Sequence, residues 1–138
     1  MRCNFGPLLV FSPLILAAVI ALSCGGSSHV PEAVTVSPAT ANATNGPVQF
    51  TATAFYNTTP SPVSPAPATW GACGADGDNI GVSIGTNGLA ECSSGSTRTY
   101  TVFAFVPDPD FKGVCGTEAM PCGGSCGGVV GTAQLTCP

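Results

Sequence analysis

Val48-Gln49-Phe50-Thr51-Ala52-Thr53-Ala54-Phe55-Tyr56 carries the strongest strand signal in this chain of 138 residues. Apolar residues at positions 48, 50, 52 and 54 alternate with polar residues at positions 49, 51 and 53. Because successive side chains of a strand point to opposite faces, this period of two predicts a strand with one buried and one solvated face. No segment has a convincing helical period, so the sequence predicts an all-β protein.

The residues around this strand contain further short β-type runs, which Gly, Pro and Asn turn signals separate. We predict strands at residues 33–37, around Trp70, and at residues 80–84, 89–92, 98–106 and 129–136. Between them, residues 57–68 contain four prolines and are predicted to run as a stiff, extended loop. Residues 107–128 form an insertion rich in Pro, Gly and Cys before the last strand.

The core prediction follows from the same alternation. We expect Phe50, Trp70, Tyr100 and Val102 in the core. For Trp70, the only tryptophan, the alternative is a ring that stacks on a sugar. Phe103 and Phe105 fall on the opposite face of their strand, and we expect the insertion to fold back over them.

About seven short strands with intervening turns predict a single antiparallel β-sandwich. The residues also resemble a bacterial immunoglobulin-like domain of group 2, a module of bacterial surface and adhesion proteins. The resemblance rests on six segments in order: Val34-Thr-Val-Ser-Pro38, Val48-Gln-Phe-Thr-Ala-Thr-Ala54, Thr69-Trp70, Thr86-Asn-Gly-Leu-Ala90, Thr99-Tyr-Thr-Val-Phe-Ala104 and Gly131-Thr-Ala-Gln-Leu135. It implies an immunoglobulin-like sandwich. The Pro-rich loop, the insertion and the cysteines depart from the family pattern.

Six cysteines lie in the predicted domain, and an even number in a short exported chain predicts three disulfides. They are Cys73, Cys92, Cys115, Cys122, Cys126 and Cys137. In a sandwich of this type we expect Cys73 to pair with Cys92, Cys137 to pair with a cysteine of the insertion, and the last two to close a small loop. The alternative is a zinc site at Cys122 and Cys126, although a second cluster or a histidine is missing.

The N-terminal residues are typical of an export signal. An apolar run from Leu8 to Leu22 follows Arg2 and is too short for a membrane-spanning helix. Ala21-Leu22-Ser23-Cys24 resembles the lipobox of bacterial lipoproteins, although the family usually has Leu where Ala21 stands. The resemblance implies a signal peptide at residues 1–23 and lipidation of Cys24, and Gly25 implies the outer membrane. The alternative is ordinary secretion with cleavage near residues 19–21.

After the anchor, residues 24–31 are predicted to form a flexible Gly/Ser tether, and residues 32–138 form the domain. From Cys24 onward, two cations, Arg98 and Lys112, stand against seven acids, a net charge of −5. Nucleic acid is therefore excluded as a partner, because binding to phosphates needs clustered Lys and Arg. The acidic chain is not attracted to anionic lipid either.

Catalytic chemistry is hard to find in the sequence. His29, the only histidine, lies in the tether and is poorly placed as a base. The acid pairs Asp76 with Asp78 and Asp108 with Asp110 lie in Gly- and Pro-rich turns, where turn formation explains them. Asp76 and Asp78 remain weak candidates for calcium, because they offer oxygen ligands in a loop. We predict no enzyme activity and no cofactor.

The sequence thus predicts a non-enzymatic lipoprotein of the cell envelope. Its immunoglobulin-like module would serve adhesion or protein contact through the insertion and the loops at its pole. The alternatives are an envelope module that binds calcium or a small ligand, and a soluble secreted protein rich in disulfides. The sequence does not decide whether a partner would be a protein or a carbohydrate.

Overall fold

The computed structural model describes residues 28–113 and 126–138, and it confirms the predicted all-β fold. Among these residues there is no helix with the length and apolar character needed to span a bilayer. The strands are β1 (Pro31–Ser37), β2 (Thr40–Asn42), β3 (Val48–Gln49), β4 (Thr51–Tyr56), β5 (Thr69–Cys73), β6 (Val82–Ile84), β7 (Leu89–Cys92), β8 (Thr99–Pro107) and β9 (Gly128–Thr136).

The first layer of the fold is built around the Val48–Tyr56 stretch. Only Phe50 separates β3 from β4, and its N–H donates to the carbonyl oxygen of Gly88 at 2.9 Å. The two strands therefore act as one, which pairs with β1 along its second half and with β7 along its first half. Since β6 pairs with β7, the layer has the order β1, β4/β3, β7, β6.

The second layer has the order β2, β9, β8, β5. The pairs of β9 with β8 and of β8 with β5 are antiparallel, whereas the short strand β2 runs parallel to β9. The chain thus crosses between the layers from β4 to β5, from β5 to β6 and from β7 to β8, as in an immunoglobulin-like sandwich. The sequence prediction missed β2, which lies between the predicted strands at residues 33–37 and 48–56.

The core fills the space between the two layers. Phe50, Tyr100 and Val102 are fully buried in it, whereas Trp70 packs against its edge and is only partly buried. Ala52 and Ala54 enter from the first layer, and Ala133 and Leu135 enter from the second. The inward residues are those that the period-two pattern assigns to the buried face.

Phe103 and Phe105 lie on the outer face of β8, yet only 2% and 8% of their surfaces are exposed. A methyl group on Gly71, the cross-strand partner of Phe103, would overlap the Phe103 ring, so this ring lies over the glycine. The Phe105 ring lies beside Gly128 in the same way. The prediction that the insertion covers both rings concerns residues 114–125, which lie outside the described residues.

The Pro-rich loop runs beside β4 as an extended segment. Val63 exchanges both backbone hydrogen bonds with Ala54, and the Ala66 N–H donates to the Ala52 carbonyl at 2.8 Å. The loop therefore covers the half of β4 that β7 is too short to reach. Prolines are compatible with this place because the segment lies at an edge.

Candidate functional site

The strand directions define two ends of the sandwich. β9 runs from Gly128, which pairs with Pro107, to Thr136, which pairs with Thr99. β1 runs the same way, because Val34 lies against Gly131 and the following strand, β2, reaches the Gln134 level. We call the end where β1 begins the proximal pole, and the opposite end, with loops 74–81 and 93–98, the distal pole. The nine residues of β8 span about 30 Å between them.

The last residues of the predicted flexible tether are held against the proximal pole. The His29 ring stacks on Tyr56, with ring centroids 3.8 Å apart and an interplanar angle of 13°. His29 Nδ1 also lies 3.0 Å from the Thr58 hydroxyl. Strand β1 then begins at Pro31, one residue before the predicted domain boundary. The tether thus differs from the expectation at its C-terminal end.

Loop 74–81 at the distal pole is folded tightly on itself. The Gly74 N–H donates to the Asp78 carbonyl at 2.6 Å, and the Gly77 N–H donates to the Gly74 carbonyl at 3.1 Å. Gly77 has a φ of 83°, a conformation that glycine adopts without strain. The Ile80 N–H donates to Asp78 Oδ1 at 3.3 Å. These bonds fix the backbone of the loop that carries Ile80.

Arg98 joins the two acids of this loop to the start of β8. Its Nη2 donates to Asp76 Oδ2 at 2.7 Å, and its Nη1 donates to both oxygens of Asp78 at 3.1 and 3.2 Å. Hydrogen bonds to Asp78 and then Asp76 raise the pKa of Arg98 above its ordinary value. Since 47% of the Arg98 side chain is exposed, the ion pairs order the loop more than they stabilise the fold.

Tyr100 supports the same loop from inside the core. Its ring is fully buried, and its hydroxyl donates to the Ile80 carbonyl at 2.5 Å. The Ser96 hydroxyl lies 2.8 Å from the Tyr100 hydroxyl oxygen. Tyr100 therefore connects loop 74–81 to loop 93–98 beneath the surface of the pole.

A disulfide between Cys92 and Cys137 closes the base of loop 93–98, with a Cα–Cα distance of 5.7 Å. The Cys137 N–H also donates to the Arg98 carbonyl at 2.9 Å. The predicted pairing of Cys73 with Cys92, and of Cys137 with the insertion, is therefore wrong. Cys92 and Cys137 both face the core, whereas Cys73 shares the outer face of β5 with Gly71, so its side chain points away from Cys92.

The remaining described cysteines, Cys73 and Cys126, are also in disulfides. A disulfide at Cys126 removes the thiolate that the zinc alternative requires. Cys115 and Cys122 lie outside the described residues, as does Cys24.

The two loops surround an exposed apolar residue. Ile80 has 73% of its surface exposed and lines a shallow depression of about 560 Å³. Asp78, Arg98, Tyr100 and the Ser- and Gly-rich residues 93–97 form the rest of its wall. The distal pole thus presents one large aliphatic side chain and one guanidinium on two loops that hydrogen bonds and a disulfide hold in place.

The other candidates from the sequence do not come together. Asp108 Oδ1 accepts from the Asp110 N–H at 2.8 Å within its own turn, at the pole opposite Asp76 and Asp78. His29 lies near neither acid pair, since it stacks on Tyr56. The carboxylates of Asp76 and Asp78, the calcium candidates, already hold a guanidinium. In the described ranges no three His, Cys, Asp or Glu side chains are grouped to hold a metal ion.

Sequence reasoning missed Arg98 and Ile80. Arg98 carries a signal that could have found it, because it is one of only two cations after Cys24 and follows a Ser/Gly loop. Ile80 reads as a strand residue in the sequence, whereas in the structure it lies in loop 74–81 with 73% of its surface exposed. Neither a protein-family model nor a curated protein matches this sequence.

Proposed function

We propose that the chain is a non-enzymatic lipoprotein of a bacterial cell envelope, anchored through Cys24, whose immunoglobulin-like module contacts another protein through its distal pole. The observation that carries the proposal is Ile80, a large aliphatic residue that is 73% exposed at the centre of an ordered surface. Arg is enriched among the few residues that dominate protein interfaces, and the aliphatic side chain beside it offers apolar surface that a partner can bury.

The order of the loops supports this use. A surface that is fixed before binding loses little conformational freedom when a partner docks. Arg98, Tyr100 and the Cys92–Cys137 disulfide all restrict the two loops around Ile80.

The place of the tether supports the anchored arrangement. Six residues separate Cys24 from Pro31, and the seven Cα–Cα steps between them limit the reach of the tether to about 25 Å. Because β1 begins at the proximal pole, a membrane anchor at Cys24 would leave the distal pole facing away from the bilayer. Disulfide use favours an oxidising compartment such as the envelope.

Outer-membrane location and membership of the group 2 immunoglobulin-like family are parts of the same proposal. The first rests on Gly25 after the lipidated cysteine. The second rests on the six sequence segments alone, since the strand order supports the sandwich fold and not the family.

The test places a photo-reactive residue at position 94, on the wall of the same depression, so that Ile80 stays intact. The protein that is cross-linked to it in intact envelopes is then purified, and its affinity for the chain is measured. We expect Ile80→Ser to weaken binding at least about tenfold. The matched control is Phe111→Ser, which removes an exposed apolar residue, 44% exposed, from the proximal side of the sandwich and should leave the affinity unchanged. Equal affinities of wild type and Ile80→Ser, or a loss with Phe111→Ser alone, would reject the distal pole as the contact surface.

A further inference from the structure

A groove runs along the side of the sandwich, separate from the distal pole. It lies between the edge strand β5 of the second layer and the β3/β4 strand of the first, and its volume is about 490 Å³. Trp70 lines it from β5, Pro65 and Pro67 from the Pro-rich loop, and Thr86 and Asn87 from the turn between β6 and β7.

Trp70 supplies an aromatic surface that is fixed in place. Its benzo ring packs against Gly88, where an added methyl group would lie 2.9 Å from Trp70 Cζ2, and its inner side packs against the core. Gly88 has a φ of 80°, so both the turn and the close approach of the ring require glycine. The indole therefore cannot move further into the protein, and its remaining surface borders the groove.

The indole N–H is an unused donor. Within residues 28–113 and 126–138 it has no hydrogen-bond acceptor, and no buried side-chain nitrogen or oxygen of this part lacks a partner. The N–H therefore keeps some surface that solvent can reach. Because buried or half-buried indole groups usually pair, a solvent-facing N–H beside a groove is available to a ligand.

Other polar side chains of the groove also keep hydrogen-bonding atoms that have no partner within the described residues. Gln49 Nε2 donates to the carbonyl oxygens of Phe50 and Asn87, both at 2.7 Å, which leaves Gln49 Oε1 to accept. Asn87 Oδ1 accepts from the Leu89 N–H at 3.2 Å, which leaves Asn87 Nδ2 to donate. The hydroxyl group of Thr86 can both donate and accept a hydrogen bond.

The chemistry of the lining selects the ligand. Among the residues that the structure describes, no ionisable side chain lines the groove, so these residues offer no charge to an anion or a cation. An aromatic surface beside amide and hydroxyl groups fits a ligand with an apolar ring face and hydroxyls at its edge. We infer that the groove binds a neutral saccharide, with a sugar ring against Trp70 and its hydroxyls at the indole N–H, Gln49 Oε1, Thr86 and Asn87 Nδ2.

The only tryptophan of the chain reports on this site directly. The detergent-extracted full chain is titrated with four neutral tetrasaccharides, made of glucose in β-1,4 linkage, glucose in α-1,4 linkage, xylose and N-acetylglucosamine. We expect a saturable shift of the Trp70 emission with at least one of them, and none with polygalacturonate. No shift with any tetrasaccharide up to about 10 mM would overturn the inference.

Variants separate the groove from indirect effects. Thr86→Ala should weaken sugar binding several-fold, while the matched Thr132→Ala, on the exposed face of β9, should leave it unchanged. Trp70→Phe keeps an aromatic ring over Gly88 but lacks the N–H, and saturation-transfer NMR should show a loss of the sugar signal. Equal sugar binding by Thr86→Ala and Thr132→Ala would overturn the inference. A shift of the Trp70 emission with decaproline, and with none of the sugars, would overturn it as well.

Discussion

Gly88 shows at the scale of one residue how the turn and the core depend on each other. Alanine at this position would bring a methyl group within 2.5 Å of the Phe50 carbonyl oxygen and 2.9 Å of Trp70 Cζ2. Gly95 has a similar φ of 82° but no atom within 4 Å of such a methyl group. Gly95→Ala therefore measures the backbone cost alone, and Gly88→Ala measures the same cost with the overlap added.

We expect Gly95→Ala to lower the free energy of unfolding by about 1–2 kcal/mol and Gly88→Ala by about 1–3 kcal/mol more. Urea unfolding of the two variants, followed by circular dichroism, makes the comparison. If both variants lost the same stability, the close packing of Trp70 over Gly88 would be refuted.

Tyr100 is the residue-scale link between the core and the distal pole. Tyr100→Phe keeps the buried ring but leaves the Ile80 carbonyl without its donor, which should cost about 1–3 kcal/mol in the free energy of unfolding. Amide exchange at Ile80 and Gly81 should also become faster than in the wild type. Tyr56→Phe is the control, because the Tyr56 hydroxyl makes no hydrogen bond within the described ranges, and it should change stability by less than about 0.5 kcal/mol.

Residue roles were predictable from the sequence only where the backbone pattern determines them. Alternation alone assigns Tyr100 and Val102 to one face of β8 and Phe103 to the other. It cannot show that Phe103 is covered, because its burial depends on Gly71 in a neighbouring strand. The ion pairs of Arg98 join residues 20 and 22 positions apart, and no local pattern predicts them.

At the scale of elements, the Cys92–Cys137 disulfide joins the two layers. Cys92 ends β7 in the first layer, and Cys137 follows β9 in the second. In the chain-entropy treatment a loop of 45 residues contributes about 4 kcal/mol to stability. The double variant Cys92→Ala/Cys137→Ala should lose stability of this order in urea unfolding.

Peptide mapping without reduction provides the independent check on this pairing. A peptide that links Cys92 to Cys137 is expected. A peptide that links Cys73 to Cys92 would instead support the pairing expected from the sequence and contradict the described geometry.

Strands were predicted where they are long enough to show a pattern. The predicted strand at residues 48–56 matches β3 and β4 taken together, and the predictions for β8 and β9 agree with the observed strands within one residue, because each is rich in β-branched and aromatic residues or alternates. β7 was predicted from the Asn87-Gly88 turn signal before it. β2 was missed because three residues, Thr40–Asn42, carry no periodicity and pair only after β9 is in place. The disulfide prediction failed for a related reason. The topology determines at which end of the sandwich a cysteine lies, but the face of the sheet that its side chain occupies depends on the strand register.

For the whole molecule, the directions of the strands place the last residues of the tether, from residue 28 onward, and the distal pole at opposite ends. This arrangement could be expected in outline from the immunoglobulin-like resemblance, because a sandwich has its loops at two ends. The identity of the contact surface could not, since loops 74–81 and 93–98 meet only in the fold. The acidic balance of the chain is read from the sequence alone, and the Arg98 cluster neutralises part of it locally.

We propose that this protein is an exported, disulfide-bonded domain that is held at a membrane through Cys24. The intact mass of the protein extracted from native membranes, measured before and after reduction and alkylation, tests this claim most directly. We predict a mass equal to residues 24–138 plus acyl chains, with alkylation of Cys73, Cys92, Cys115, Cys122, Cys126 and Cys137 only after reduction. An unlipidated protein whose thiols alkylate without reduction would contradict the account.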